Sequence, residues 1–178
     1  MAYIAEVSEE QAEGGLRESY ARIRQEFGFL PHFWQAQGSR PDIVQASLEL
    51  WRVIYRAGVL PAALKEKIGL VVSAANSNSY CITAHLELLR RLGVEKALGR
   101  QLVHDYEAAP VDEREKSLFR FAEKITREPF KIKESDVSEL RRHGWDDAAL
   151  LEVALVASHF NFLNRLAAAL GLIPEHVF

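Results

Sequence analysis

Apolar residues recur every three to four positions along almost the whole chain, and no run of four or more residues alternates convincingly between apolar and polar side chains. Recurrence every three to four residues is typical of amphipathic α-helices, whereas alternation every two residues is typical of half-buried strands. The pattern therefore predicts an all-α protein. The predicted helices span residues 8–27, 41–57, 61–77, 79–92, 94–106, 112–127, 134–143 and 146–170.

The predicted helices end where the local sequence favours an end. Gly93 and Gly171 each follow a leucine-rich segment and precede an apolar residue, as left-handed C-terminal glycines do. Asp112 and Asp146 stand where N-caps are expected. The 178 residues can bury a substantial core without disulfides, so we expect one helical bundle forming a single domain over residues 1–178.

The last predicted helix, residues 146–170, is apolar on nearly every face. Such a helix lies either at the centre of a bundle or against another subunit. We therefore expect a homo-oligomer with residues 146–170 in or near its interface.

Charge and cysteine content narrow the possible partners. The chain has 22 Lys+Arg against 25 Asp+Glu and no basic stripe, which argues against nucleic acid. Its longest uncharged stretch, residues 68–84, is too polar to cross a membrane. A single cysteine forms no intramolecular disulfide, and the first residues lack the basic and apolar regions of a secretion signal. These features favour a cytoplasmic location.

The single cysteine lies in the segment NSNSYCITAHLELL, residues 76–89, four positions before a histidine. Asn78 is a strong candidate N-cap, and a helix that begins there places Cys81 in its first turn. The unpaired backbone N–H groups and the positive end of the helix dipole favour a thiolate at that position. His85 lies one turn further along the same face, where it can accept the thiol proton. The pattern indicates a reactive sulfur.

Two other interpretations of the same residues remain open. A single cysteine on an apolar helix is often only a small buried hydrophobic residue. Cys81 and His85 could also be half of a metal site, but the other five histidines have no spacing that supplies two further ligands. We therefore expect neither a metal nor a cofactor.

The segment LKEKIGLVVSAANSNSYCITAHLELLRRLGV resembles the core of the alkylhydroperoxidase D-like proteins of the carboxymuconolactone decarboxylase superfamily. Their motif is a Glu, eleven residues, Cys-x-x-Cys, three residues and a His. Glu66, Asn78, Cys81 and His85 occupy its four positions. The segments on both sides of the motif are similar to the peroxidase-related branch, so the resemblance covers nearly the whole chain.

The resemblance implies an all-helical fold in symmetric oligomers, usually trimers or hexamers, with the motif in an internal pocket. It also implies a peroxidase in which Glu66 and His85 form a proton relay with water and Cys81 meets the peroxide. Lipoyl-bearing proteins reduce the oxidised enzymes of this family. Twelve residues of unbroken helix span about 18 Å, so Glu66 reaches the other two residues only where the chain folds back.

The sequence departs from the motif at Asn78, which replaces the first cysteine. An asparagine cannot form the resolving disulfide, so the two-cysteine cycle is absent within one subunit. The Asn78 side chain either caps the helix or hydrogen-bonds a substrate or sulfenate oxygen. Tyr80 likewise either contacts substrate or supports the site.

Three functions are compatible with these residues. The first is a one-cysteine thiol peroxidase that takes a peroxide substrate and is reduced by an external thiol or a lipoyl-type reductant. The second is a cofactor-independent acid-base enzyme of the decarboxylase type, which uses Glu66 and His85. The third is a helical oligomer with little catalysis, which acts through binding or assembly.

Overall fold

The structure, a computed structural model, describes residues 2–174, which form an all-helical domain without strands. The predicted all-α class is confirmed. Within these residues, no helix is both long and apolar enough to span a bilayer. The helices are α1 (Gly14–Phe27), α2 (His32–Gln35), α3 (Pro41–Arg56), α4 (Ala62–Ala75), α5 (Ser79–Arg91), α6 (Lys96–Asp105), α7 (Glu113–Arg127), α8 (Glu134–Arg142) and α9 (Asp147–Ala169), with a 3-10 turn at Pro129–Lys131.

The helix ends differ from the prediction mainly near the N-terminus. Helix α1 begins at Gly14 rather than at residue 8. The backbone of Gly14 is left-handed (φ 50°), so a helix that started earlier in the chain could not continue through this residue into α1. The four-residue helix α2 was not predicted, since one turn is too short to produce a periodic pattern. Gly93 and Gly171 adopt the expected left-handed conformation, with φ of 81° and 64°.

Helix α4 is the centre of the bundle and packs against α3, α5, α6, α7 and α9. Its buried residues include two charged ones, Lys65 and Glu66. Buried charges need partners. The Lys65 ammonium donates to the carbonyl of Ile54 at 2.8 Å and lies 2.9 Å from the Glu152 carboxylate. The partner of Glu66 belongs to the candidate site.

Helix α9 buries one face and leaves the other open. Val153, Val156 and Phe160 are fully buried, whereas Leu151 and Phe162 are at least half exposed. The exposed side faces an equally apolar part of α3, and together they form an open groove. The predicted apolar helix is therefore not the centre of the bundle.

A tight turn joins α4 to α5. Ser77 takes a left-handed conformation (φ 53°), so the chain reverses within residues 76–78 and the two helices pack side by side. Asparagines fasten this turn to α9: the Asn76 amide donates to the side-chain oxygens of Asn161 and Asn164, each at 3.0 Å. The reversal brings residues on either side of Ser77 together.

Candidate functional site

Cys81 is the third residue of α5 and is buried, with 4 % of its surface exposed. The side-chain oxygen of Asn78 accepts a hydrogen bond from the Cys81 backbone N–H at 2.9 Å. The amide nitrogen of Asn78 donates to the carbonyl of Asn164 at 2.8 Å. Asn78 therefore is the N-cap of α5 and also attaches α5 to α9. Both its polar atoms hydrogen-bond within the protein.

His85 and Glu66 form a buried pair across the α4–α5 hairpin. The Nδ1 atom of His85 lies 2.6 Å from a carboxylate oxygen of Glu66, whose exposed fraction is 2 %. A carboxylate accepts a hydrogen bond from Nδ1–H, so the lone pair of Nε2 is the basic site of the ring. The chain thus folds back between Glu66 and His85, which is the condition for the two side chains to meet.

Cys81 and His85 line the same pocket. The pocket has a volume of about 50 Å³, which is room for a small molecule or a few waters. No lysine or arginine lines the pocket, and most of its wall is aromatic. The wall comprises Phe27, Phe29, Pro31, Phe33, Trp34, Trp51, Tyr80, Ala84, Leu88 and Leu163.

Tyr80 joins the pocket wall to α2. Its ring lines the pocket, and its hydroxyl accepts a hydrogen bond from the backbone N–H of Phe33 at 3.0 Å. Phe33 and Trp34 in turn pack edge to face, with ring centroids 5.4 Å apart. The tyrosine therefore fixes the short aromatic helix over the site.

A second buried polar pair lies behind the pocket. The Tyr55 hydroxyl is hydrogen-bonded to Nδ1 of His159 at 3.1 Å, and both side chains are buried. Burial raises the pKa of Tyr55 well above 10, and the nearby charges of Glu66 and Cys81 raise it further. Burial also lowers the pKa of His159 to about 4, with a smaller contribution from the charge of His85. Both groups are therefore neutral at physiological pH.

The lowered pKa of His159 predicts a pH-dependent stability. An ordinary histidine titrates at 6.5, so between pH 6.5 and about 4 the unfolded chain holds more protons than the folded one. The free energy of unfolding should fall by about 3 kcal/mol through this window as pH falls, because of His159 alone. Urea denaturation at several pH values measures it. His159→Gln should remove most of that loss, whereas the exposed-site variant His104→Gln should not; equal losses in all three proteins would contradict the prediction.

Some residues around the site could not be identified from the sequence. Tyr55, His159 and Phe160 belong to helices far from the motif, and at helical spacing they look like ordinary core residues. The signal that was available is the motif itself, whose Glu66, Cys81 and His85 the fold brings to one place. Among residues 2–174, no three acidic, histidine or cysteine side chains converge in a way that could hold a metal ion.

Comparison with known proteins agrees with this geometry. Residues 41–124, which contain α3 to α5 and the whole motif, match the carboxymuconolactone decarboxylase family. A solved peroxidase-related protein from a Silicibacter species is 29% identical, with a TM-score of 0.86 over 96% of this chain and 87% of that one. The chain is thus similar, in the segment that carries the motif and in its overall fold, to the alkylhydroperoxidase D-like and carboxymuconolactone decarboxylase superfamily. No curated protein matches it.

Two further solved members of this fold are less similar in sequence. A peroxidase-related protein from Ralstonia eutropha, described as an alkylhydroperoxidase AhpD core, has a TM-score of 0.91 at 24% identity and covers 98% of this chain and 93% of its own. The debrominase Bmp8 has a TM-score of 0.86 at 23% identity, with coverages of 98% and 92%, and was solved in complex with 2,3,4-tribromopyrrole. Activities thus differ among proteins that share the alkylhydroperoxidase D-like fold.

Proposed function

We propose that this protein is a one-cysteine thiol peroxidase in which Cys81 is the reacting sulfur. The observation that carries the proposal is the shared pocket: Cys81 and His85 line it together, and His85 is held through Nδ1 by the buried carboxylate of Glu66. Nε2 of His85 is then a base for the thiol proton. Glu66 stabilises the imidazolium that results.

The peroxide step follows from these roles. The Cys81 thiol gives its proton to His85, and the thiolate attacks one peroxide oxygen. A sulfur–oxygen bond forms as the oxygen–oxygen bond breaks, and the imidazolium returns the proton to the leaving oxygen, which departs as water or an alcohol. The sulfur is oxidised to a sulfenic acid while the peroxide is reduced by two electrons.

Recovery of the thiol requires a second reductant, because the chain holds no other cysteine. An external thiol displaces the sulfenic oxygen as water and forms a mixed disulfide with Cys81. A dithiol of the lipoyl type then releases Cys81 by closing its own disulfide. This chemistry suits a reducing compartment such as the cytoplasm.

The pocket favours this function over acid-base decarboxylation. A carboxylate substrate that enters an apolar site needs a cation, because an unpaired buried charge is costly. The lining of this pocket contains neither lysine nor arginine. Arg56 and Arg91 border a separate cavity, which Glu66 also touches. A neutral peroxide meets no such cost.

The aromatic walls favour one second candidate, the reductive removal of a halogen from an aromatic ring. In that reaction thiols supply two electrons, the ring gains hydrogen and a halide leaves. The debrominase of the same fold provides the precedent. Release of bromide from a bromopyrrole, in the presence of a dithiol, would support this activity.

Turnover measurements test the peroxidase proposal. The protein should consume hydrogen peroxide or an organic hydroperoxide only when a thiol is added, and dithiothreitol should support faster turnover than the same concentration of thiol groups supplied as a monothiol. Peroxide loss no faster than with dithiothreitol alone would reject the proposal.

Asn78→Cys should convert the site into a two-cysteine one. Positions 78 and 81 flank the first turn of α5, where a Cys-x-x-Cys pair can close a disulfide. Peroxide should then give an intramolecular disulfide in place of a persistent sulfenic acid, at some loss of stability from the missing N-cap, typically about 1 kcal/mol. Mass spectrometry of the peroxide-treated variant measures this. Asn78→Ser keeps a capping side chain and is the control, which should form no disulfide; a persistent sulfenic acid in Asn78→Cys would contradict the prediction.

We also propose that the apolar face of α3 and α9 is covered by a second copy of the chain. Leu50, Val53, Leu151, Leu155 and Phe162 are exposed together there, between 43 and 67 % each. Contiguous apolar surface of this kind is typical of interfaces, and an obligate interface should bury upwards of about 2,000 Å² in total.

Sedimentation tests the assembly. The wild type should sediment as an oligomer at micromolar concentration, and Leu155→Lys should shift it towards the 20.1 kDa monomer. Leu92→Lys, at an exposed leucine on another surface, should leave the oligomer intact. A wild type that sediments only at 20.1 kDa would reject the interface.

A further inference from the structure

Phe160 packs directly against the site histidine. Its side chain is fully buried, and its ring centroid lies 4.4 Å from that of His85 at an interplanar angle of 61°. Its ring also meets Tyr55 edge to face, with centroids 5.6 Å apart. Such contacts between rings are directional. His85 is therefore held by two groups: Glu66 at Nδ1 and Phe160 against the ring.

Gly69 provides the space for the Phe160 ring. A Cβ atom on Gly69 would lie 1.8 Å from two of the distal ring carbons of Phe160, far inside van der Waals contact. Gly69 lies within α4, where glycine is less favourable than alanine by about 0.5–1 kcal/mol. Its φ is not left-handed, so the close approach of Phe160 is the structural reason for a glycine here.

The same part of α4 places both contacts. Gly69 follows Glu66 by three residues, a spacing that puts the two on one face of the helix. Glu66 contacts His85 by a hydrogen bond. The missing side chain of Gly69 leaves room for the Phe160 ring, which packs on His85. One hydrogen bond to a carboxylate would leave the imidazole able to swing about that bond. The Phe160 ring packs against the imidazole, with centroids 4.4 Å apart, and so restricts that motion.

We propose that Gly69 and Phe160 are positioning residues that hold the His85 ring with Nδ1 on Glu66 and Nε2 towards the pocket lined by Cys81. The inference rests on the proposed function, since it assigns the orientation of the base that acts on Cys81. A displacement of about 1 Å in such a base can cost 10²-fold in rate. The aromatic side chain and the missing Cβ act as one unit.

Phe160→Leu tests the unit, because it keeps an apolar side chain but removes the distal ring atoms. The rate of Cys81 oxidation by hydrogen peroxide should fall about tenfold or more. Heteronuclear NMR of the imidazole nitrogens should show a single Nδ1–H tautomer of His85 in the wild type and a mixture in the variant. The matched control is Val156→Ala, which makes a cavity one turn earlier on α9; it should change the rate less than about twofold and keep the tautomer.

Gly69→Ala completes the test as a double-mutant cycle. The added methyl group should lower the melting temperature strongly in the wild type and much less in the Phe160→Leu background, where the clashing atoms are gone. Equal losses in the two backgrounds would overturn the role of Gly69. Phe160→Leu with wild-type rate and tautomer would overturn the role of Phe160.

The rate of His85→Gln separates this inference from the proposed function. If His85→Gln slows the oxidation of Cys81 and Phe160→Leu does not, only the positioning role fails. If His85→Gln oxidises at the wild-type rate, the proposed function fails, and the NMR tautomer still decides whether Phe160 orients the ring.

Discussion

Cys81→Ser should abolish thiol-dependent peroxide consumption, leaving only the uncatalysed reaction between peroxide and the added thiol. A serine hydroxyl is close to isosteric with the thiol, but it is neither a thiolate at neutral pH nor oxidisable by peroxide. Because Cys81 is the only thiol of the chain, no other residue can form a sulfenic acid in its place. Peroxide loss followed by absorbance or by a peroxide-sensitive dye measures the effect.

The same substitution discriminates between the remaining functions. An acid-base activity that depends on Glu66 and His85 would survive in Cys81→Ser, since the Nδ1 hydrogen bond at 2.6 Å does not involve the sulfur. A matched control is Ser79→Ala, two residues earlier in α5 at an exposed position. It should retain peroxidase activity. Peroxidase turnover that persists in Cys81→Ser would contradict the assignment of the sulfur.

His85→Gln should slow the oxidation of Cys81 by roughly 10² or more, the usual contribution of a general base. Glutamine retains a polar side chain beside Glu66, whereas alanine would leave the buried carboxylate without its partner and cost several kcal/mol. Glu66→Gln should also slow the reaction, because a neutral amide can donate to Nδ1 and so favour the tautomer that lacks a basic Nε2. Stopped-flow oxidation of each variant by hydrogen peroxide gives the rates.

The control for these two variants is Glu87→Gln. Glu87 lies on α5 two residues beyond His85, but its carboxylate pairs with Arg90 and Arg91 at the protein surface. Its neutralisation should leave the oxidation rate within about twofold of the wild type. Wild-type oxidation of Cys81 in both His85→Gln and Glu66→Gln would show that the pair does not act on the sulfur.

The sequence predicted the local parts of this site well, because they depend on spacing along one helix. Cys81 and His85 lie on the same face of α5 because they are four residues apart. Asn78 is the N-cap because asparagine is favoured at that position. Both are properties of neighbouring residues, which a single sequence can reveal.

The contacts between helices were not predictable in the same way. The hydrogen bond between Glu66 and His85 depends on the reversal at Ser77, a left-handed conformation that serine rarely adopts. Tyr55 and His159 are 104 residues apart, and only the packing of α3 on α9 brings them together. From the sequence, Gly69 is only an unfavourable residue within a helix. The reason for it, the close approach of the Phe160 ring, is visible only in the structure.

Mass spectrometry of the intact protein after mild peroxide treatment, with and without a sulfenic-acid trap, tests most directly whether Cys81 reacts with peroxide. We expect the gain of one oxygen atom at Cys81, a trap adduct that maps to Cys81, and reversal of the oxidation by a dithiol. A protein that gains no adduct, and whose Cys81 alkylates at neutral pH no faster than an ordinary cysteine in a peptide, would contradict this expectation.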